Sequence, residues 1–374
     1  MRVVNGLSEQ NIKYLDGVRG LALVMVFLCH AGWFSFGYAG VWLFFTLSGY
    51  LISGILLRHR ESSNYYSVFY ARRMLRIAPL YFLTIIIAFA FYKTSTNSTC
   101  SLVANFLSYA FYLQNFVSFF LTSCIHPCLL HTWSLAVEEL FYLVLPTSIK
   151  VFATASILEK LSFFIMWIGP LTRQLILILL PDLQDGTASI TLLGFEVFAY
   201  GIWLAARHFM NKSNTETTTI LGLMAAIFII FSAFIYPLIF NVQPIWKVSY
   251  SALHAGAIAT QPIFHLMPPL FGFFLALAFN SKILQKVLSF PLLVWTGNFS
   301  YALYLFHGLL IQAPFIAIVP ASFRPFAWIA LSYILAIISR YCIEQPILSL
   351  KKLFSFTSTI NYLKPQKELV NSAK

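Results

Sequence analysis

Between Gly20 and Leu57 this chain carries not one Asp, Glu, Lys or Arg, and the same holds for residues 94–137, 217–246, 248–281 and 287–323. Roughly 20 apolar residues cross the hydrocarbon core of a bilayer as a helix, and each of these runs is longer. Of the 374 residues 59% are hydrophobic and only 10% charged, whereas soluble domains are about a quarter charged. In lipid every backbone N–H and C=O must find a partner inside the protein, which leaves helices for runs like these. The expected fold class is all-α: a polytopic transmembrane helical bundle of about ten spans. They fall near residues 18–35, 39–57, 77–92, 134–149, 161–180, 188–206, 218–238, 263–280, 290–313 and 325–343. The 38 Phe, 19 Tyr and 8 Trp suit a bilayer, whose headgroup level favours amphipathic rings.

The net charge of +12 would suit a nucleic-acid binder, but its distribution excludes that reading. With the N-terminus inside, 20 of the 24 Lys and Arg fall at the cytoplasmic ends of these spans, leaving only Lys93, Arg173, Lys247 and Arg324 on the other side. That asymmetry sets orientation and puts both termini in the cytoplasm. The basic excess is topology, and no nucleic-acid partner is implied. The first span carries charged groups at its mouth and is expected to anchor itself rather than to be cleaved. One transmembrane domain is expected over 1–350, followed by a short polar cytoplasmic tail at 351–374. The apolar run at 104–120 is expected to lie in the membrane without crossing it, since a crossing would invert the charge asymmetry after it. Cys100, Cys124 and Cys128 share the long external segment, with room for one disulfide whose pairing the odd count leaves open. "CIHPCLLH" lacks a fourth ligand pattern elsewhere in the chain, and no metal site is assigned.

Ionisable groups inside a span are costly and face the protein interior or a wet cavity. In "YLDGVRGLALVMVFLCHAG", a helical advance of roughly 100° per residue brings Arg19 and His30 to within about 20° of one line, about 16 Å apart. Asp16 shares that face. In "SVFYARRMLRIAPLYFL" Arg72 and Arg73 both converge with Arg76 on one side of a helix. Two readings stand for them: anchors on the basic side of the membrane, or paired donors for phosphate oxygens. In "HTWSLAVEELFYLVLP" His131, Ser134, Glu138 and Tyr142 form one stripe, with Glu139 beside it. In "TGNFSYALYLFHG" Ser300, Tyr304 and His307 align, and His307 alone also reads as a core histidine satisfied by its neighbours. Glu196 stands in "LLGFEVFAYG", and Arg340 and Glu344 in "SRYCIEQP" are spaced to pair with each other.

Together with "VWLFFTLSGYLIS" and "IEQP", and in this order, these segments resemble the acyltransferase-3 family, integral membrane enzymes that O-acylate cell-envelope carbohydrates. The resemblance runs from about residue 13 to 346 and is looser between 150 and 290. The Arg-x10-His spacing and "WSLAVEE" carry it most specifically. Trp42 stands where the family often has Asp or Glu, and no Arg directly precedes Glu196. The esterase-like domain fused to some members is not found in these residues.

The resemblance implies transfer of an acyl group, most simply acetyl from cytoplasmic acetyl-CoA, to a hydroxyl of a cell-envelope saccharide or lipid-linked glycan. Acyl-CoA would be a co-substrate, with no permanently bound cofactor, and the protein would sit in a bacterial inner membrane. It casts His30 as general base, joined as catalytic residues by Glu138 and Glu139. Asp16, Arg19, Arg72, Arg73 and Arg76 become the donor-binding set, with the guanidinium groups holding phosphates. His131, Ser134, Tyr142, Ser300, Tyr304 and His307 become acceptor-binding or structural polar groups. An acyl-imidazole intermediate on His30 is a variant of the same scheme. The alternative is a proton-coupled transporter or glycan flippase that uses the intramembrane His and Glu residues as a relay and breaks no thioester.

Overall fold

The arginines of "YARRMLR" lie inside a helix rather than beside one. A computed structural model describes residues 13–91, 101–120, 126–152, 154–179, 195–240 and 261–357. Its first three helices are α1 (Lys13–His30), α2 (Gly40–Arg58) and α3 (Tyr65–Phe91). The span expected at 77–92 thus begins three turns earlier, because the helix continues through its basic residues. Next come α4 (Leu102–Ala110) and α5 (Gln114–Phe120), both too short to cross a bilayer. A 3-10 turn at Pro127–Thr132 leads into α6 (Trp133–Phe152) and then α7 (Ala155–Leu179). The middle of the chain forms α8 (Phe195–Phe209), α9 (Asn214–Ile230), a π-turn at Phe231–Ile235 and α10 (Tyr236–Phe240). The C-terminal third forms α11 (Gln261–Asn280), α12 (Lys282–Leu288), α13 (Pro291–Asn298), α14 (Ser300–Ile311), α15 (Pro314–Ile318), α16 (Arg324–Ser339) and α17 (Gln345–Ser349).

The protein is an all-α, multi-pass membrane protein, with no strand among the described residues. Six described helices are long and apolar enough to cross a membrane, or seven if α11 and α12, bent by 105°, form one span. The gap from the expected ten has physical causes. Lys13, Asp16 and Arg19 interrupt the apolar character of α1, while α8 and α14 have only 15 and 12 residues. The span expected at 290–313 is broken at Phe299, which separates α13 from α14. Lys93, Cys100, Cys124, Asp182, Asp185 and Lys247 lie outside the described residues, and with them the question of the disulfide.

Close helix approach organises the bundle. A Cβ at Gly297 of α13 would run into the carbonyl of Asp16, and one at Gly20 into that of Leu293, so α1 and α13 touch backbone to backbone. Small residues permit such contact where lipid offers no hydrophobic drive to associate. Two apolar clusters follow. One joins α1, α2, α3, α6, α14 and α16 and includes the stack Phe45–Phe198–Phe141, with ring centroids 4.6 and 3.9 Å apart. The other, around Tyr50, Trp203, Met224 and Leu275, joins α2, α8, α9 and α11. Past the expected division at residue 350, the chain still packs: Phe356 stacks on His59 at 4.0 Å and Asn64 Nδ2 donates to Ser355 O at 2.8 Å. Residues 358–374 lie outside the described residues.

A cation-lined cavity and a row of imidazoles

Five helices enclose a cavity of about 150 Å³. Arg19 enters it from α1, Arg73 and Arg76 from α3, and Phe44, Phe45 and Ser48 from α2. The stripe Ser134, Glu138 and Tyr142, with Glu139, comes from α6, and Ser300, Tyr301 and Tyr304 come from α14. Residues that sequence spacing put on separate helix faces are here one wall.

Hydrogen bonds hold that wall. Ser48 Oγ donates to Glu138 Oε1 at 2.6 Å, and the Tyr142 hydroxyl donates to the same oxygen. The Arg73 guanidinium lies 4.9 Å from the centroid of the Tyr142 ring, a cation–π arrangement that orients a cation without neutralising it. Tyr301 donates to Ile77 O at 2.7 Å, tying α14 to α3. Tyr304 donates to His131 O at 2.7 Å and lies 2.7 Å from Ser134 Oγ. Asp16, buried beneath the cavity, forms an ion pair with Arg19 one turn away. Among the described residues no ion pair ties Arg73 or Arg76 to a carboxylate.

Two expectations are corrected. Arg72 does not reach the cavity: its Nε donates to Phe354 O at 2.7 Å and its guanidinium sits 5.7 Å from the Phe356 ring. Adjacent residues on a helix point about 100° apart, so Arg72 and Arg73 cannot both face one cavity. His30, expected on one helix face with Arg19, is exposed at the far end of α1 and is absent from the cavity wall. The side chains of α14 and of the 3-10 turn before α6 stand between them.

Those side chains form a row. The His131 ring lies 5.4 Å from Tyr304 and 4.8 Å from His307, and His307 lies 5.0 Å from His30. His307 is fully buried, and its Nδ1 meets Tyr304 O at 2.5 Å. His30 Nδ1 lies 2.9 Å from Val26 O. A carbonyl oxygen only accepts, so each of these Nδ1 atoms donates, and in the neutral ring the lone pair belongs to Nε2. A Cβ at Gly308 would collide with the His131 ring, so a glycine there makes room for the imidazole.

Ser48 and Tyr301 are cavity residues that sequence reasoning missed. A hydroxyl in an apolar span usually bonds back to a carbonyl of its own helix, as Thr46 does to Trp42 O at 2.9 Å. Nothing local separates Ser48 from Thr46. Glu196, which has no near Arg in sequence, pairs with Arg173 of α7 at 2.8 Å, both fully inside the protein. Arg340 and Glu344 pair as their spacing implies, at 3.5 Å.

A family model described as an acyltransferase domain matches residues 12–343. The peptidoglycan O-acetyltransferase OatA of Listeria monocytogenes is 28% identical over 377 aligned residues, covering 93% of this chain and 57% of its own length. The putative O-acetyltransferase SACOL0978 of Staphylococcus aureus is 26% identical over 329 residues, covering 79% of this chain and 50% of that protein. The O-acetyltransferase OatA of Staphylococcus aureus is 27% identical over 336 residues, covering 80% and 50%. The chain spans about half the length of these curated relatives. No solved structure matches it.

Proposed function

The chain belongs to the acyltransferase-domain family, and from that premise we propose that it moves an acetyl group from cytoplasmic acetyl-CoA to a hydroxyl of a cell-envelope saccharide. One observation carries the reading: Arg19, Arg73 and Arg76 share a wall with Ser134, Glu138 and Tyr304, and imidazoles continue from that wall to His30. The relative named a peptidoglycan O-acetyltransferase supports a saccharide acceptor.

Coenzyme A brings phosphates at one end and the thioester at the other. Guanidinium groups without carboxylate partners suit the phosphates, because paired N–H···O bonds to an anion are the stronger class. A cavity of about 150 Å³ takes a stretch of the donor's arm, not the whole coenzyme, since sites for drug-sized ligands run to roughly 300–1,000 Å³. The phosphates therefore stay at the mouth near Arg76, whose side chain is exposed.

At the other end His30 acts as general base through Nε2. The acceptor hydroxyl gives its proton to that nitrogen as the oxygen attacks the thioester carbonyl carbon. A C–O bond forms, the C–S bond breaks, and the departing thiolate takes up the proton. His307 and His131 back the forming imidazolium. The setting is the inner membrane, with the acetyl donor reaching the Arg19 end of α1 and the acceptor the His30 end.

The test is thiol release from acetyl-CoA by the purified protein with peptidoglycan fragments as acceptor. Acceptor-dependent release of free coenzyme A supports acyl transfer. A proton-coupled transporter would draw on the same imidazole row but would release none.

A further inference from the structure

A second cavity, of about 430 Å³, lies between α7, α9, the π-turn after it, α10 and α11, and shares no lining residue with the first. Its lining is almost wholly apolar, with Trp167, Pro170, Ile227 and Phe228 among its walls. The exceptions cluster at one end. Arg173 Nη2 lies 3.0 Å from His265 Nδ1, and Tyr236 donates to Gln174 Oε1 at 3.1 Å.

Those two bonds settle what the cavity offers a ligand. A guanidinium has only N–H groups to give, so His265 Nδ1 accepts, and the ring proton must sit on Nε2. Because Gln174 uses its oxygen to accept from Tyr236, its amide nitrogen is left as a second donor. Both Nε2 atoms are buried and have no hydrogen-bond partner among the described residues. His265 is 3% exposed and lines the cavity. The site therefore presents two N–H donors and an apolar chamber. Charge narrows it further: Arg173 is neutralised by Glu196 at 2.8 Å, so no net cation attracts an anion.

We infer that this cavity binds one acyl chain of an ester-linked membrane lipid, with His265 and Gln174 donating to its ester carbonyl. The depth profile fits. Gln174 lies near the end of α7, Tyr236 begins α10 and His265 lies near the start of α11, so the donors share one end of the bundle. Trp167 and Phe228 line the cavity one to two turns further in. A phospholipid has the same order, ester oxygens just beneath the headgroup and methylenes toward the middle. The rim is apolar and open: Leu171 and Ile239 are each 63% exposed, so the mouth faces the lipid-covered surface. An unmade buried hydrogen bond is costly, which is the drive to fill the site with an acceptor.

The experiment uses the full chain in nanodiscs of ether-linked phosphatidylcholine doped with an ester-linked phospholipid whose acyl chain ends in a diazirine. After illumination, peptide mass spectrometry should find adducts concentrated on the segments holding Trp167 and Phe228. Unlabelled ester-linked phosphatidylcholine should compete them away several-fold better than the ether-linked analogue, which lacks the carbonyls. His265→Leu should erase that preference, and Gln174→Leu should weaken it while leaving the Arg173–Glu196 pair and thiol release intact. If His265→Leu fails to fold, Gln174→Leu and Ile227→Trp, which fills the chamber, read the same signal. Equal competition by the two lipids, or adducts spread evenly over the bilayer-facing helices, overturns the inference.

Discussion

Two ionic clusters inside this bundle differ in one respect. Around Arg207 the charges close on themselves: its Nη1 meets Glu159 at 2.9 Å, its Nη2 meets Glu216 at 2.9 Å and its Nε donates to Thr217 at 2.7 Å. Lys212 completes the set at 2.7 Å from Glu159, and Trp203 lies under the guanidinium at 4.8 Å. Around the cation-lined cavity Arg19 is paired with Asp16, but the two arginines of α3 that reach it stay open. Arg73 has an aromatic face for a neighbour, Arg76 has none of the nearby carboxylates, and Glu138 spends one oxygen on Ser48 and Tyr142. A closed network holds helices together. An open one waits for a charge from outside, and this contrast separates a structural cluster from a binding site.

The contrast can be broken by measurement. The largest effect is expected outside both clusters: His30→Ala should cut acceptor-dependent thiol release by about 10²–10⁴-fold, the usual worth of a general base, with folding intact. Glu159→Ala should then lower stability by about 3–5 kcal/mol, since it leaves the buried Arg207 short of a partner. Thermal unfolding in detergent would show this, while the KM for acetyl-CoA stays put. A raised KM with unchanged unfolding would make the Arg207 cluster a donor site after all. Arg73→Ala should do the reverse, raising that KM about 10- to 100-fold through loss of bonds to a charged group worth about 1.5–3 kcal/mol, with little change in melting. Smallest of all is Arg72→Ala. Its partner is a backbone carbonyl of the C-terminal segment, so KM should hold and stability should shift by no more than about 1 kcal/mol. A KM effect equal to that of Arg73→Ala would show that the donor reaches both.

Much of this was legible before any coordinates. The uncharged runs demanded a helical membrane protein, and the stripe Ser134–Glu138–Tyr142 followed from helical period alone; all three line the cavity. Period also put Arg19 and His30 on one face of α1, but it could not see that His307 would stand beside His30 while Arg19 met Arg73. Nor could it say which of Arg72 and Arg73 would face the cavity, find Ser48, or break the C-terminal span at Phe299.

The sequence by itself determined which segments are helices and which side chains share a face, because both depend on bonds and rotations within a few residues. Only the tertiary structure decided which faces meet. Arg173 finds His265 across 92 residues of chain and Tyr304 finds Ser134 across 170, and such partners are chosen by where glycines let two backbones touch and by which apolar surfaces fill the space between them.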